Sequence, residues 1–290
     1  MYLVVGAGGF LGSYVIKNIL EKTYDPIIAV SKNGQVYAGD DLRVKAVKLD
    51  VCNADELSRL ISTIPISAKV VWLAAQHNID KVAQAPEDAA KINLFALSTA
   101  CAQLTNISRF IFTSSDTVYG EGGEKRFKET DELNPISEYG RQKLEGEKIV
   151  LSHNMNVVRL PFMFGKSISP YKKHFCDLII SNLELGQSTK MFTDSIRSTL
   201  SFDTVAKIIV SLCEEDEDIP PVLNIGADEP YSKYDVGVAL AHKLGADTAL
   251  ITPEESRNAW AKGAERAVST VMDNTLLKKT LMLDKITLEL

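Results

Sequence analysis

Tyr139 and Lys143 lie four residues apart in the segment ISEYGRQKLEGE at 136–147. Side chains at this spacing lie one above the other on one face of an α-helix. A phenol ordinarily has a pKa of about 10, and a neighbouring ammonium favours the phenolate and lowers that value. The pair could therefore exchange a proton with a substrate, although a solvated helix surface carries tyrosine and lysine at the same spacing.

Two serines follow the apolar run at 109–113 in the segment RFIFTSSDTVYG. The run predicts a β-strand, and the carboxyl ends of parallel strands deliver side chains to a single crevice. Ser114 or Ser115 could therefore reach the space in front of Tyr139. A serine hydroxyl there could donate a hydrogen bond to a substrate oxygen on which negative charge develops.

The glycines Gly6, Gly9 and Gly12 lie in the segment GAGGFLG, between a strand-like YLVV and an amphipathic GSYVIKNILEK. Glycine permits a tight turn there and lets the backbone approach a pyrophosphate closely. The helix that follows offers its positive N-terminal end to the phosphates. The segment predicts a dinucleotide site that includes Phe10 and Leu11, and the alternative is a purely structural tight turn.

The end of the second predicted strand bears on the choice of dinucleotide. It reads AVSKNG, with Ser31 and Lys32 where an NAD site normally has a carboxylate, and no acidic residue follows before Asp40. A cation and a hydroxyl suit the 2′-phosphate of NADP, so NADP is favoured over NAD, although Lys32 could equally be a solvated loop lysine. Asp50 and Val51, after the third strand, are expected at the adenine edge.

Alternating strand-like and helix-like segments place these residues in a fold. Strand-like runs with helical segments between most of them predict a Rossmann-type, doubly wound α/β sheet. The runs lie at 2–5, 26–30, 44–49, 69–73, 109–113 and 155–160. The regular alternation ends after Pro161. We therefore expect a dinucleotide-binding domain at 1–160 and a smaller substrate-binding region at 161–290.

The composition narrows the class of protein. The chain has 290 residues, 45% of them hydrophobic, and a net charge of −6 without a basic run. The acidic balance argues against nucleic acid and an anionic membrane surface as partners. The chain opens directly on YLVV, and no later apolar run is long enough to span a bilayer. We expect a globular cytoplasmic protein that binds neither nucleic acid nor membrane.

The cysteines and histidines do not predict a metal site. The cysteines form no CxxC pair and have no histidine at ligand spacing, which predicts free thiols. They are Cys52, Cys101, Cys176 and Cys213. Of the histidines, only His77 follows a predicted strand end and could face a pocket. The others, expected at the surface or in packing, are His153, His174 and His242.

The order and spacing of these motifs resemble those of an extended short-chain dehydrogenase/reductase. The matching segments are GAGGFLG, WLAA at 72–75, Asn93, TSSDTVYG, YGRQK and RSTLSFDTVAKII. The resemblance selects Ser115 over Ser114 and implies a Ser115, Tyr139 and Lys143 triad that supports hydride transfer. It further implies that Lys143 also holds the nicotinamide ribose. The WLAA segment would bring Leu73, Ala74 and Ala75 to the cofactor.

Within that superfamily the chain is most similar to the dTDP-4-dehydrorhamnose reductase group. AAQHNIDKVAQAPEDA, YGRQKLEGE and TDSIRSTLSFDTVA carry this similarity. It implies reduction of a 4-keto sugar on a nucleotide, with five residues facing the sugar or its diphosphate. These are Gln76, His77, Asp116, Phe162 and Arg197. For Arg197 the fork of donors suits a diphosphate, and an interdomain ion pair is the alternative.

Three other functions bear on the prediction. A dehydratase is disfavoured because Asp116 and Thr117, rather than an Asp-Glu pair, follow the serine. A nucleotide-sugar 4-epimerase needs only the same triad and remains an alternative. A non-catalytic subunit that senses the dinucleotide is another, and the retained triad favours an enzyme over it. The superfamily also suggests a homodimer.

Overall fold

A computed structural model describes residues 1–38, 40–256 and 263–290. Its centre is a sheet of seven strands. They are β1 (Tyr2–Val5), β2 (Ile27–Ser31), β3 (Val44–Lys48), β4 (Lys69–Trp72), β5 (Arg109–Ser115), β6 (Asn156–Leu160) and β11 (Val222–Asn224). The order is β11-β6-β5-β4-β1-β2-β3, and every neighbouring pair is parallel. This order reverses direction next to β1, where open α/β sheets bind their ligands.

Helices cover both faces of the sheet. They are α1 (Phe10–Lys22), α2 (Ala54–Ile61), α3 (Ile79–Gln84), α4 (Pro86–Ala90), α5 (Ala96–Gln103), α6 (Glu138–Ser152), α7 (Phe175–Glu184), α8 (Phe202–Glu214), α9 (Lys233–Lys243) and α10 (Thr275–Thr280). Short 3₁₀ turns lie at Asp116–Val118 and Thr248–Leu250. No helix in the described parts of the chain combines the length and apolarity needed to cross a membrane.

The predicted fold class is confirmed. All six strands expected from the sequence are present, with ends that differ by at most two residues. The seventh, β11, comes from the second half of the chain, and α8 packs on α1 against the same sheet. The second half therefore completes the large sheet as well as forming the smaller region.

Apolar side chains fill both faces of the large sheet. All four residues of β1 and all seven of β5 are buried. This is the pattern of central parallel strands covered by helices on both sides, and it explains their continuous apolar sequences. One core lies between the sheet and the pair α1 and α8, and the other lies under α2, α5 and α6.

Small sheets in the second half of the chain support the rim of the site. Their strands are β7 (Met163–Phe164), β8 (Thr189–Phe192), β9 (Ile196–Arg197), β10 (Leu200–Ser201), β12 (Tyr231–Ser232), β13 (Ile251–Glu254) and β14 (Ser269–Thr270). β9 lies between β12 and β14 in one of them. This sheet places Arg197 and the start of α9 beside the end of β5.

The segment PEDAAKINLFALSTACAQL, which has apolar residues at helical spacing, contains a π-helical turn at Lys91–Phe95 between α4 and α5. Such a turn inserts a residue without breaking the helical path, and it often occurs at functional sites. Here it buries Asn93. The Asn93 amide accepts from the Gln76 backbone N–H at 2.8 Å and donates to Gln142 Oε1 at 2.9 Å. Asn93 thus ties the loop after β4 to α6.

Candidate functional site

The turn after β1 requires glycine at Gly6. Its φ is +92°, and a Cβ there would lie 2.6 Å from the backbone nitrogen of Ala74. A side chain on Gly12 would likewise lie 2.7 Å from the Gly6 carbonyl oxygen. The glycines therefore let α1 pack closely against the ends of β1 and β4.

The N-terminus of α1 suits an anion. Gly9 is the N-cap residue and has no side chain to cap the helix, and the first turn carries no acidic residue. Backbone N–H groups of a first helical turn lack partners inside the helix, so they favour a phosphate. The tight glycine turn and the uncapped helix end fit the pyrophosphate of a dinucleotide.

The residues expected at the adenosine end lie together at neighbouring strand ends. Ser31 is the last residue of β2, and its buried hydroxyl donates to the carbonyl oxygen of Gln35 at 3.0 Å. Lys32 follows it and forms an ion pair with Asp50 at 2.8 Å. This pair leaves the Lys32 side chain 80% exposed. Lys32 can therefore reach a ligand phosphate only in competition with Asp50.

Helix α6 carries Tyr139 and Lys143 toward the carboxyl end of β5. The helix begins after Ser137, whose hydroxyl accepts a hydrogen bond from the Gly140 N–H. This cap fixes the first turn, which contains Tyr139. Gly140 allows the turn to approach β5, since a Cβ there would lie 2.7 Å from the Thr117 carbonyl oxygen.

Lys143 is 4% exposed and lies under the tyrosine. Its ammonium donates to the carbonyl oxygen of Thr113 at 2.7 Å and lies 5.8 Å from the centre of the Tyr139 ring. Burial lowers the pKa of Lys143 to about 7, against the opposing charge of Glu147 one turn away. The lysine is therefore balanced between ammonium and amine near neutral pH.

The pKa of Tyr139 is raised from its ordinary value by burial first and then by the charge of Asp116. A hydrogen bond with Ser115 acts in the opposite direction. This differs from the expectation that Lys143 lowers the pKa of the tyrosine. The difference arises because burial and Asp116 dominate, while the ammonium is directed to the Thr113 carbonyl.

Ser115 and Ser114, adjacent on β5, have different partners. Ser115 Oγ donates to Asp116 at 3.0 Å and accepts from the Thr117 hydroxyl at 3.0 Å. Ser114 Oγ instead donates to the buried carboxylate of Glu147 at 2.5 Å. Ser115 also forms a hydrogen bond with Tyr139, whereas the Ser114 hydroxyl is directed to Glu147.

Asp116 joins β5 to the small sheet. Besides Ser115, it binds the Thr270 hydroxyl and pairs with Arg197 Nε at 3.1 Å. The other guanidinium nitrogens of Arg197 donate to backbone carbonyl groups. These belong to Ile196, Ala267 and Val268. Most N–H groups of Arg197 therefore bind atoms of the protein itself. This is the arrangement expected for an interdomain ion pair, the alternative given for Arg197 from the sequence.

Two cavities meet at Ser115 and Tyr139. The glycine cavity, of about 360 Å³, runs from the turn at Gly6 and Gly12 to Lys143. The arginine cavity, of about 190 Å³, lies on the other side and is lined by Asp116, Arg197 and other residues of both halves of the chain. Ser115, Tyr139, Pro161 and Phe162 line both cavities. Ser115 and Tyr139 therefore face both the glycine cavity and the arginine cavity.

The remaining expected residues divide between the walls of these cavities and their surroundings. Besides those already placed, the glycine cavity is lined by Gly9, Phe10, Leu11, Leu73, Ala75 and His77. The wall of neither cavity includes Ser31, Lys32, Asp50, Val51, Ala74 or Gln76. The Gln76 side chain accepts from the Asn78 N–H at 3.3 Å, within its own loop.

Four basic side chains of the cavity walls were missed from the sequence. Lys172 and His174 line the glycine cavity, and Lys233 and Arg266 line the arginine cavity. His174 lies in the cavity wall, where its ring packs against Phe10 at 4.8 Å and burial lowers its pKa to about 4. None of the four lies in a recognisable motif, and tertiary structure alone brings them to the site.

A comparison with known protein families shows which family the chain belongs to. The family described as the RmlD substrate binding domain matches residues 1–288. The chain belongs to this family. Its membership confirms the expected resemblance to dTDP-4-dehydrorhamnose reductases and to the wider group of nucleotide-sugar reductases and epimerases.

Curated relatives differ in what their names describe. The chain is 25% identical over 282 residues to the methionine adenosyltransferase 2 subunit beta of Danio rerio, covering 95% of this chain and 83% of the relative. It is 25% identical over 256 residues to a protein of Haloferax volcanii named "Probable low-salt glycan biosynthesis reductase Agl14", covering 86% of this chain and 81% of that protein. The relatives thus include a reductase and a subunit of another enzyme.

Solved structures share the fold along nearly the whole chain. A dTDP-4-dehydrorhamnose reductase from Clostridium acetobutylicum superimposes with a TM-score of 0.78 at 22% identity, covering 99% of this chain and 94% of that one. A UDP-glucuronic acid 4-epimerase from Bacillus cereus, in complex with UDP-glucuronic acid and NAD, gives 0.80 at 21% identity, covering 98% and 94%. At these identities the likeness concerns the fold.

Proposed function

We propose that the protein is an NAD(P)-dependent reductase of a 4-keto sugar carried on a nucleoside diphosphate. Ser115, Tyr139 and Lys143 form its catalytic triad. The observation that carries the proposal is the position of Ser115 and Tyr139 in a wall shared by both cavities. A dinucleotide in the glycine cavity and a sugar in the arginine cavity would meet at these two hydroxyls.

The chemical roles follow from the surroundings of each group. A bound nicotinamide would supply the hydride. Because the pKa of Tyr139 is raised, its phenol holds the proton that must be given to the carbonyl oxygen as the ketone is reduced. The Ser115 hydroxyl would stabilise charge on the same oxygen. Lys143, directly beneath the tyrosine, would hold the nicotinamide ribose.

The cofactor assignment rests on the glycine turn and the uncapped end of α1, which suit a pyrophosphate shared by NAD and NADP. Lys32 supports NADP because it is exposed and follows the end of β2. Its ion pair with Asp50 opposes that preference. We propose that the protein uses either dinucleotide, with NADP slightly preferred.

The substitution Tyr139→Phe tests the proposal with a minimal change of shape. We expect turnover of a 4-keto nucleotide sugar to fall by about 10² to 10⁴-fold, since one proton transfer is removed. The thermal shift caused by the dinucleotide is expected to remain. Tyr171→Phe, on a 51% exposed tyrosine, is the matched control. Undiminished turnover in Tyr139→Phe would overturn the assignment of the triad.

A second candidate is a non-catalytic subunit that binds the dinucleotide. It is favoured by the relative named as a subunit of methionine adenosyltransferase, which aligns over 95% of this chain. In that role Tyr139→Phe would leave the binding of the dinucleotide unchanged, and no keto sugar would oxidise the reduced dinucleotide. A 4-epimerase differs from both, because it would return the hydride to its own substrate.

A further inference from the structure

Lys233 is the first residue of α9 and points its ammonium into the arginine cavity. The nitrogen lies 4.9 Å from the centre of the Phe162 ring and 5.4 Å from that of Phe192. Burial lowers the pKa of Lys233 to about 8, the nearby charges of Arg197 and Arg266 act in the same direction, and Asp116 opposes them. The Lys233 ammonium thus lies between two phenylalanine rings and close to two arginines.

The other cations of this cavity have carboxylate partners. Arg197 pairs with Asp116, and Arg266 pairs with Asp80 at 2.6 Å. Within residues 1–38, 40–256 and 263–290, the Lys233 ammonium has no hydrogen-bond or ion-pair partner. The sequence outside these ranges, Gly39 and RNAWAK at 257–262, contains no acidic residue. Lys233 therefore contributes a positive charge that no carboxylate of the described chain contacts, and the nearby Asp116 is already paired with Arg197.

Such an ammonium is costly unless a ligand supplies its partner. A buried charge without a partner destabilises the folded protein, and two phenylalanine rings compensate only in part. The cavity of about 190 Å³ is smaller than most complete ligand sites, so it accommodates only part of a ligand. That part must lie near Ser115 and Tyr139, which line the same cavity.

We propose that Lys233 is an anion-recognition residue, whose ammonium pairs with an anionic oxygen group of the substrate beside the reacting sugar. The group is either the phosphate next to the sugar or a carboxylate on the sugar ring, and both offer the same charged oxygens. The inference rests on the proposed function, because it places the sugar in the arginine cavity. Lys233 would then select substrates by their charge and would take no part in the proton transfer.

Titration calorimetry with Lys233→Gln tests the inference, because glutamine keeps a polar side chain of similar length without the charge. The probes are UDP, dTDP, UDP-glucose and UDP-glucuronic acid, each added to protein saturated with NAD. Lys190→Gln, at an ammonium whose side chain is 71% exposed, is the matched control. Lys233→Arg keeps the charge and should restore much of the affinity.

We expect Lys233→Gln to weaken binding about tenfold to a hundredfold, the effect of one charge-assisted hydrogen bond. Equal losses for UDP, UDP-glucose and UDP-glucuronic acid would identify the phosphate as the partner. A loss confined to UDP-glucuronic acid would identify a sugar carboxylate. Either result supports the inference.

Two results would overturn it, and they separate the inference from the proposed function. If the unsubstituted protein binds a probe and Lys233→Gln binds it equally well, Lys233 does not recognise the anion, while the proposed function stands. If the unsubstituted protein binds NAD but none of the four probes, the nucleotide-sugar function fails and the inference fails with it.

Discussion

Burial shifts the pKa values of Tyr139 and Lys143 in opposite directions. Burial raises the pKa of the phenol and lowers that of the ammonium to about 7. Both shifts favour the neutral form, as expected for groups withdrawn from water. In this state the tyrosine carries its proton, and a bound dinucleotide would add charge and hydrogen bonds close to the lysine.

The lowered pKa of Lys143 predicts a dependence of stability on pH. Between about pH 7 and 10 the unfolded chain binds the lysine proton more strongly than the folded chain does, so the free energy of unfolding rises with pH. Lys143→Met removes this contribution. Urea unfolding at about pH 6.5 and 9 should show the unsubstituted protein gaining stability relative to the variant, by at most about 1.4 kcal/mol per pH unit.

The control for that experiment lies on the same helix. Lys148→Met changes a lysine whose side chain is 62% exposed, so the difference from the unsubstituted protein should be the same at both pH values. If the curves for Lys143→Met and the unsubstituted protein stay parallel, Lys143 keeps an ordinary pKa in the folded protein.

Lys32 and Ser31 give a prediction about the dinucleotide. Replacing Ser31 by Asp and Lys32 by Ala removes a cation and adds a carboxylate that repels a 2′-phosphate and can accept from a ribose hydroxyl. The ratio of kcat/KM for NADP to that for NAD should fall at least about tenfold. Lys45→Ala, an exposed lysine on β3, should leave the ratio unchanged. An unchanged ratio in the double variant would mean that the phosphate is recognised elsewhere.

At the scale of the element, the turn between β1 and α1 is defined by backbone contact. Gly6→Ala adds a Cβ 2.6 Å from the Ala74 nitrogen at a φ of +92°, whereas Gly186→Ala adds one in open space at a φ of +66°. The control substitution should cost about 1 kcal/mol of unfolding free energy, and Gly6→Ala at least about 3 kcal/mol. Gly6→Ala should also abolish the thermal shift caused by NAD.

Urea unfolding of both variants measures these costs. Equal losses in Gly6→Ala and Gly186→Ala would show that backbone strain alone matters at Gly6. The close packing of the β1 turn against the end of β4 would then not explain why glycine is required there.

The strands were predictable because each is a short apolar run bounded by turn residues, as in the fully buried β1 and β5. The π-helical turn at Lys91–Phe95 was not, because an inserted residue leaves the helical pattern of apolar side chains nearly intact. Its evidence lies in the contacts of Asn93 with Gln76 and Gln142, which only the folded chain brings together.

At the scale of the whole molecule, the two halves of the chain build one site. The first half supplies the glycine turn and Ser115, Tyr139 and Lys143, and the second half supplies β11 to the sheet and half of the residues that line the arginine cavity. The closeness of Ser115 to Tyr139 and Lys143 was predictable, because the two α6 residues share one helix face and Ser115 ends the strand that this helix packs on. Lys233 and Arg266 were not, because their place depends on how β9, β12 and β14 pair.

The transfer of a labelled hydride tests the proposed reaction most directly. Reduced dinucleotide carrying deuterium at the transferable position is incubated with the protein and a 4-keto nucleotide sugar, and the sugar is analysed by mass spectrometry. A reductase predicts one deuterium in the product sugar and an equal amount of oxidised dinucleotide. A sugar that remains unreduced and unlabelled, with the reduced dinucleotide unconsumed, would contradict the proposed function.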